Sequence, residues 1–393
     1  MWASAAAISL ALSQGERTPA RRSTASTGAF TALGFIFAAG LGWQADVGSA
    51  QAEMTSKHAQ TLEANNRLEP ALGLFTELTQ LHPAEPDYWY RVGQLQRRIA
   101  QQNATPAQRI PHRIASETAL RSAIQARPFG ADAAVTLARL YHDWATDEPA
   151  KADQAEAAFE SATWVTPANL YLWNDWARFE YAIRADFNAA QAKLAQSLAL
   201  DPTFDSTHLA LGDMHLAHAT IDPGASGKHL ANAATAYRNA LKLQNKPQDL
   251  AKTHIKLGKV AQAKAPLSKD AFEEAQNEFA LAATLQSGSD LAGTNILQGN
   301  LFVQGSTLQP EQSAQHATTA IAFFERGLAE QAASGQAARE FTPWMVQRTL
   351  AQLYFGLGNK PAALAAAQLA QAGAPQSEQA YFAGMINELA PAK

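Results

Sequence analysis

Cysteine is absent from the 393 residues, which excludes disulfides, thiolate metal sites and cysteine nucleophiles. The absence suits an exported domain that avoids stray thiols, but many cytosolic chains share it, so it assigns no compartment. An excess of positive charge is missing too. The formal net charge is −4 and no basic stripe runs along the chain, which argues against a phosphate-backbone ligand and hence against a nucleic-acid partner. Also lacking are a Gly-rich phosphate loop, a nucleophile elbow and an HExxH helix. β-Branched residues are sparse, whereas alanine, leucine and glutamine dominate. That mix suits helix interiors, where alanine loses no side-chain entropy and β-branched residues lose χ1 freedom.

The first fifty residues differ from the rest. Met1 to Gln14 carry no charge, and a polar turn with Arg17, Arg21 and Arg22 follows. A second uncharged stretch has its apolar centre from Gly28 to Trp43, with Phe30, Leu33, Phe35, Ile36, Phe37 and Leu41. A spanning helix needs about 20 mainly apolar residues, so this stretch qualifies narrowly. It reads as a two-helix hairpin, as a single signal-anchor, or as an export signal cleaved after Gly48-Ser49-Ala50. A retained anchor within residues 1–50, made of one or two hydrophobic helices, is the expectation carried forward. The arginines lie before the second stretch while Asp46 and Glu53 follow it, so the positive-inside rule puts the rest of the chain outside the cytoplasm.

From Gln51 onward small and aromatic residues recur in a fixed order. Ala71, Phe75, Leu78 and Pro83 close a first unit; Trp89, Val92 and Gly93 open a second, which ends in Leu120, Ala123 and Pro128. Leu137, Ala138 and Tyr141 begin a third, and Trp173, Trp176 and Ala177 a fourth. Gly212 with Tyr237, Gly258 with Phe279, and Gly299 with Phe324 mark three looser units, and Leu350 to Pro375 an eighth. Small residues let two helices approach, large ones fill the gap to the next unit, and proline ends the second helix. This pattern, with a period of about 34 residues, resembles the tetratricopeptide repeat. The expected fold is all-α: a right-handed α-solenoid of about eight degenerate helix pairs over residues 51–375, plus a capping helix in 376–393. Tyr381, Phe382, Met385 and Ile386 would form the apolar side of that cap. Insertions at Gln101–Pro111, Asp147–Ala152, Ile221–Lys228, Ala265–Lys269 and Ser306–Glu311 are expected to project as loops.

Leu137-Ala138-Arg139-Leu140-Tyr141-His142-Asp143-Trp144-Ala145, Leu172-Trp173-Asn174-Asp175-Trp176-Ala177 and Leu198-Ala199-Leu200-Asp201-Pro202-Thr203-Phe204-Asp205 resemble something narrower. They are similar to the repeat tail of bacterial O-antigen ligase/polymerase-like membrane proteins. The multi-span membrane domain that carries that family's glycan-transferring residues is missing here, so none of those residues transfers. The resemblance implies, as the alternative function, an accessory or split-off C-terminal part of an O-antigen ligase-like envelope polysaccharide system, partnered with glycan-assembly proteins.

His208, His215 and His218 raise the question of a metal, but His208 and His215 occupy packing positions and Asp213 falls on another face, so core histidines are expected and no metal ligand is assigned. Trp89, Trp173 and Trp176 fall at packing positions; Trp144 and Trp164 lie off the motif, where they either stack on a ligand such as a sugar ring or pack under inserted loops. Glu273-Glu274 and Asp147-Glu148 read as solvated. The resemblance to the repeat family places the binding groove on the first helix of each unit. The groove positions are Arg91, Gln94, Arg139, Asn174, Arg178, Asp213, Lys256, Lys259 and Asn300. Arg139 and Arg178 stand at equivalent places in adjacent units, where a guanidinium fork would suit a partner's carboxylate or phosphate. The alternative is a solvated face with local pairing. The expected function is therefore a non-catalytic scaffold without cofactor, holding a protein or extended peptide in a concave groove and tethered to a membrane by its N-terminal helices.

Overall fold

The computed structural model describes residues 49–264, 268–335 and 341–390. The expected hydrophobic helices of residues 1–48 lie outside these. Among the described residues the regular elements are helices, without strands, and no helix is long and apolar enough to cross a membrane. The chain divides into two compact units, one ending at Pro128 and the other beginning at Phe129.

In the first unit a helix over residues 49–64 (α1) pairs with α2 (Leu68–Leu81), and α3 (Pro86–Gln102) with α4 (Pro106–Ala126). Ala59, Ala71, Phe75, Leu78 and Leu95 form its buried centre, of which the motif predicts Ala71, Phe75 and Leu78. The Gln101–Pro111 insertion does not project. Thr105 caps α4 by accepting from Gln108 N–H, the Gln108 side chain returns to the Thr105 N–H, and Pro106 takes the first helical position. Residues 103–105 alone connect the helices, and Pro111 sits in the second turn, where its missing N–H costs one backbone bond.

The second unit contains α5 (Ala131–Asp147), α6 (Ala152–Val165), α7 (Leu170–Ala182), α8 (Phe187–Leu200), α9 (Asp205–Ile221), α10 (Ser226–Leu243), α11 (Pro247–Lys264) and α12 (Lys269–Thr284). It continues with α13 (Gly288–Leu308), α14 (Ser313–Ser334), α15 (Pro343–Gly356), α16 (Lys360–Gly373) and α17 (Gln379–Leu389). Successive helices pack as antiparallel pairs, α5 with α6 through α15 with α16.

Close approach inside each pair follows from glycine. A Cβ added at Gly212 would lie 2.3 Å from the Tyr237 ring, at Gly258 2.5 Å from Phe279, and at Gly299 2.6 Å from Phe324. Each of those rings is almost wholly buried, so the glycine is the notch that receives it. A second device recurs at the turns between pairs. Trp89 Nε1–H donates to Pro83 O at 2.9 Å and Trp173 Nε1–H to Pro167 O at 2.8 Å, while His208 Nε2 lies 2.9 Å from Pro202 O. His208 thus occupies the tryptophan's place, as its register predicts.

The other insertions also differ from the expected loops. Asp147–Ala152 tightens into a 3-10 turn, Pro149–Lys151; α10 already begins at Ser226; and α13 runs to Leu308 before a second 3-10 turn, Pro310–Gln312. The centre of Ala265–Lys269 lies outside the described residues. Insertion here lengthens helices because each added backbone N–H finds a partner within the helix. At the C-terminal end α17 packs on α16, burying Phe382 and Leu389 with Met385 and Ile386 against the same core. Tyr381 turns away from that core, and Arg348 stacks on its ring at 4.7 Å.

Candidate functional site

The first helices of successive pairs line up in the second unit, with α7 touching both α5 and α9. Side chains one repeat apart therefore meet on one wall. Arg139 on α5 donates from Nε to Asp175 Oδ2 at 2.7 Å, and Arg178 Nη1 lies 3.6 Å from Asp175 Oδ1. The two arginines approach one group, and it is a carboxylate of this chain. Their engagement differs: the Arg178 side chain is 67% exposed and its contact is loose, whereas Asp175 is 18% exposed.

Asn174 is buried, and its Oδ1 accepts from Thr207 Oγ1 at 3.0 Å; Thr207 in turn bonds Ser197 Oγ at 2.8 Å. Asp213 accepts from the Tyr237 hydroxyl at 2.6 Å and pairs with Lys256. Burial, with the Asp213 carboxylate second, raises the Tyr237 hydroxyl far above its usual range, so it stays a donor at any physiological pH. Arg91 and Gln94, in the first unit, bond each other at 3.4 Å, and Arg91 also lies 3.5 Å from Glu63. Lys259 on α11 and Asn300 on α13 are half-buried.

Three of the expected groove residues converge. Asn174, Arg178 and Asp213 rim a cavity of about 220 Å³ between α7, α8 and α9. Ala177, Leu194, Ala210 and Met214 make it apolar, and Tyr181 lines it with a buried hydroxyl that has no hydrogen-bond partner. Asp175, Tyr181 and the cavity floor were missed in sequence. The usable signal for Asp175 was spacing: it lies 36 residues from Arg139, about one repeat.

Of the two off-motif tryptophans, Trp144 is buried, with Lys151 of the 3-10 turn 4.2 Å above its ring, so it packs under an insertion and is closed to a sugar. Trp164 is exposed and its ring lies 5.9 Å from that of Phe129. Trp173 and Trp176 stack at 5.6 Å, and Trp176 Nε1–H donates to Glu180 at 2.8 Å. No group of three His, Cys, Asp or Glu side chains among the described residues is arranged to hold a metal ion.

No family profile matches the sequence, and no curated protein matches it either. Solved structures do. The human IFIT1 dimer with m7Gppp-AAAA has 18% identity and a TM-score of 0.51, over 87% of this chain and 72% of that one. A monomeric IFIT1 mutant with Gppp-AAAA has 17% identity and a TM-score of 0.51, over 86% and 72%. A TPR protein of Thermus thermophilus matches 49% of this chain and 91% of its own at 21% identity, with a TM-score of 0.36. Identities this low speak for the fold alone. Together with the recurring glycine notches and the tryptophan–proline turns, they give the chain the tetratricopeptide-repeat fold.

Proposed function

We propose that the chain is a non-catalytic interaction scaffold that holds an extended protein segment along its first helices. A large apolar side chain of the partner enters the cavity between α7 and α9, and a neighbouring acidic side chain pairs with Arg178. The observation that carries this reading is the cavity itself: an apolar floor with one exposed, loosely paired guanidinium on its rim. Asn174 and Asp213 on the same rim supply polar groups that fix a peptide's orientation.

In this proposal the uncharged Gly28–Trp43 stretch tethers the repeats to a membrane, with Arg17, Arg21 and Arg22 on the cytoplasmic side. The absence of cysteine makes the topology directly testable. A single cysteine at Gln51 should react with a membrane-impermeant maleimide on intact cells; protection until lysis reverses the orientation.

Crosslinking capture from native membranes tests the groove. Wild type is compared with Ala210→Leu, which fills the cavity, and Arg178→Ala, which removes the cation. One protein captured by wild type and lost from both variants supports the reading. Capture unchanged in both variants overturns it, and arrival of glycan-assembly proteins alone would move the O-antigen ligase-like alternative ahead.

A further inference from the structure

Two histidines of the fifth helix pair face each other. His215 Nδ1 on α9 lies 3.0 Å from His229 Nδ1 on α10, and both side chains are buried. His218, one turn on from His215, stacks on Phe187 at 4.2 Å, and its ring lies 4.8 Å from that of His229. Phe187, the first residue of α8, also meets His215 at 5.4 Å and His229 at 5.2 Å, both edge-on. One phenyl ring is thus wedged among three imidazoles.

This cluster adjoins the cavity described above through one lining residue and shares none of its own with the lining. Tyr181, which lines the cavity, has its ring 6.5 Å from Phe187 and 6.1 Å from His218. Met214, also in the lining, directly precedes His215, and Leu194 of the lining belongs to the helix that Phe187 begins. The cluster therefore ties α8 and α9, which both contribute lining residues, to α10.

The surroundings favour a neutral His215. From α7 the Tyr181 ring faces the cluster, from α8 the Phe187 ring, and α11 adds Leu257 and Val260 to the apolar layer over α9 and α10. The charges that act on His215 come from His229, His218 and Lys228, all positive when protonated. Burial first, and those charges second, push His215 down from 6.5 to about 4. In the neutral pair one Nδ1–H donates to the lone pair of the other Nδ1. A proton taken from solvent by the accepting nitrogen turns it into a second donor, so the bond is lost and a charge appears among aromatic rings. His218 Nδ1, buried without a hydrogen-bond partner, adds no acceptor bonded in place.

We propose that the His215–His229 pair, with Phe187 wedged behind it, is an acid-opened latch on the fifth helix pair: protonation parts α9 from α10, frees Phe187 and loosens α9, which carries the cavity residues Ala210, Asp213 and Met214. Release of a held segment rests on the groove reading above; the opening of the fifth helix pair does not. A group whose folded value is depressed stabilises the fold above its unfolded value, and that contribution is lost as pH falls. The window therefore runs from 6.5 down to about 4.

The test is hydrogen exchange on the full chain at about pH 7.5 and about pH 5, corrected for intrinsic rates, for wild type and the His215→Gln/His229→Gln double variant. In wild type, protection of α9 and α10 should fall about tenfold more than that of α5 and α6 on acidification, and the difference should vanish in the variant. Equal losses in both regions, or a loss that persists in the variant, would overturn the latch. Should the variant fail to fold, the wild-type His215 Cε1–H NMR signal decides. Titration well below 6.5, in step with the exchange, supports the latch; a midpoint near 6.5 with flat exchange sinks it. Repeating the crosslinking capture at both pH values separates the two readings. Capture at both with flat exchange overturns the latch and leaves the groove. No capture at either, with acid-sensitive exchange, sinks the groove and leaves the latch.

Discussion

Arg139 Nε lies 2.7 Å from Asp175 Oδ2 across 36 residues, a cation and a carboxylate about one repeat apart in sequence and side by side in space. The same spacing recurs: Arg98 with Glu63 at 35 residues and Arg238 with Glu274 at 36. These pairs tie equivalent helices of adjacent repeats, where a helical array has no covalent cross-link. Asp175→Asn should cost about 1 kcal/mol, since the pair is half-buried and both arginines lose their anion. Equilibrium urea unfolding, with and without high salt, measures it. A loss unaffected by salt would mean the pair acts through shape and not charge.

The glycine notches give a sharper contrast. Gly212→Ala places a Cβ 2.3 Å from a Tyr237 ring carbon that is buried on every side, and should cost about 2 kcal/mol by overpacking. Gly73→Ala meets nothing within 4 Å on the exposed side of α2, and should stabilise by about 1 kcal/mol through helix propensity. Denaturation midpoints that move the same way for both substitutions would refute the notch.

Much of this was legible in sequence. The glycine followed by an aromatic one helix later, and the small–large order repeating eight times, specified the pairs and their register. Histidine at the tryptophan position was legible as well, because position in the repeat decides packing and both rings carry a nitrogen that reaches the turn proline. Trp173→Phe and His208→Ala should therefore each lose about 1 kcal/mol, one hydrogen bond apiece, whereas His208→Trp should keep its bond to Pro202 O. Thermal melts of the three variants rank them. Two features escaped the sequence for one reason. Much of the described insertions became helix or 3-10 turn, and His229 and Phe187 joined His215, because both depend on partners that a single helix's pattern does not name. Asp175 was hidden differently: its place beside Arg139 depends on the register between adjacent repeats, 36 residues apart in sequence.

Glu180 supplies a pH dependence of the opposite sign to that of His215. Burial raises its carboxyl above 4.5, outweighing the Trp176 hydrogen bond and the nearby Lys193 and Arg184, which lower it. A carboxyl raised in the fold contributes most below its unfolded value and loses that contribution as pH rises through the folded value. Glu180→Gln keeps an acceptor for Trp176 Nε1–H without the charge. The variant should melt higher than wild type near neutral pH, with the gap closing as pH falls toward 4.5. A gap constant across that range would assign the effect to packing.

Charge reversal distinguishes a structural arginine from a binding one. Arg139→Glu sets a new carboxylate against Asp175 at the site of a 2.7 Å bond, so like charges replace the pair and about 1–2 kcal/mol of stability should go. Arg178 is two-thirds exposed and only 3.6 Å from its nearest anion, so Arg178→Glu can swing into solvent and should change stability by less than about 0.5 kcal/mol. If the groove holds an acidic segment, crosslinked capture falls in Arg178→Glu even though the fold is intact, because the cation on the cavity rim has become an anion. A variant that keeps both its stability and its capture would confine the role of Arg178 to solvation.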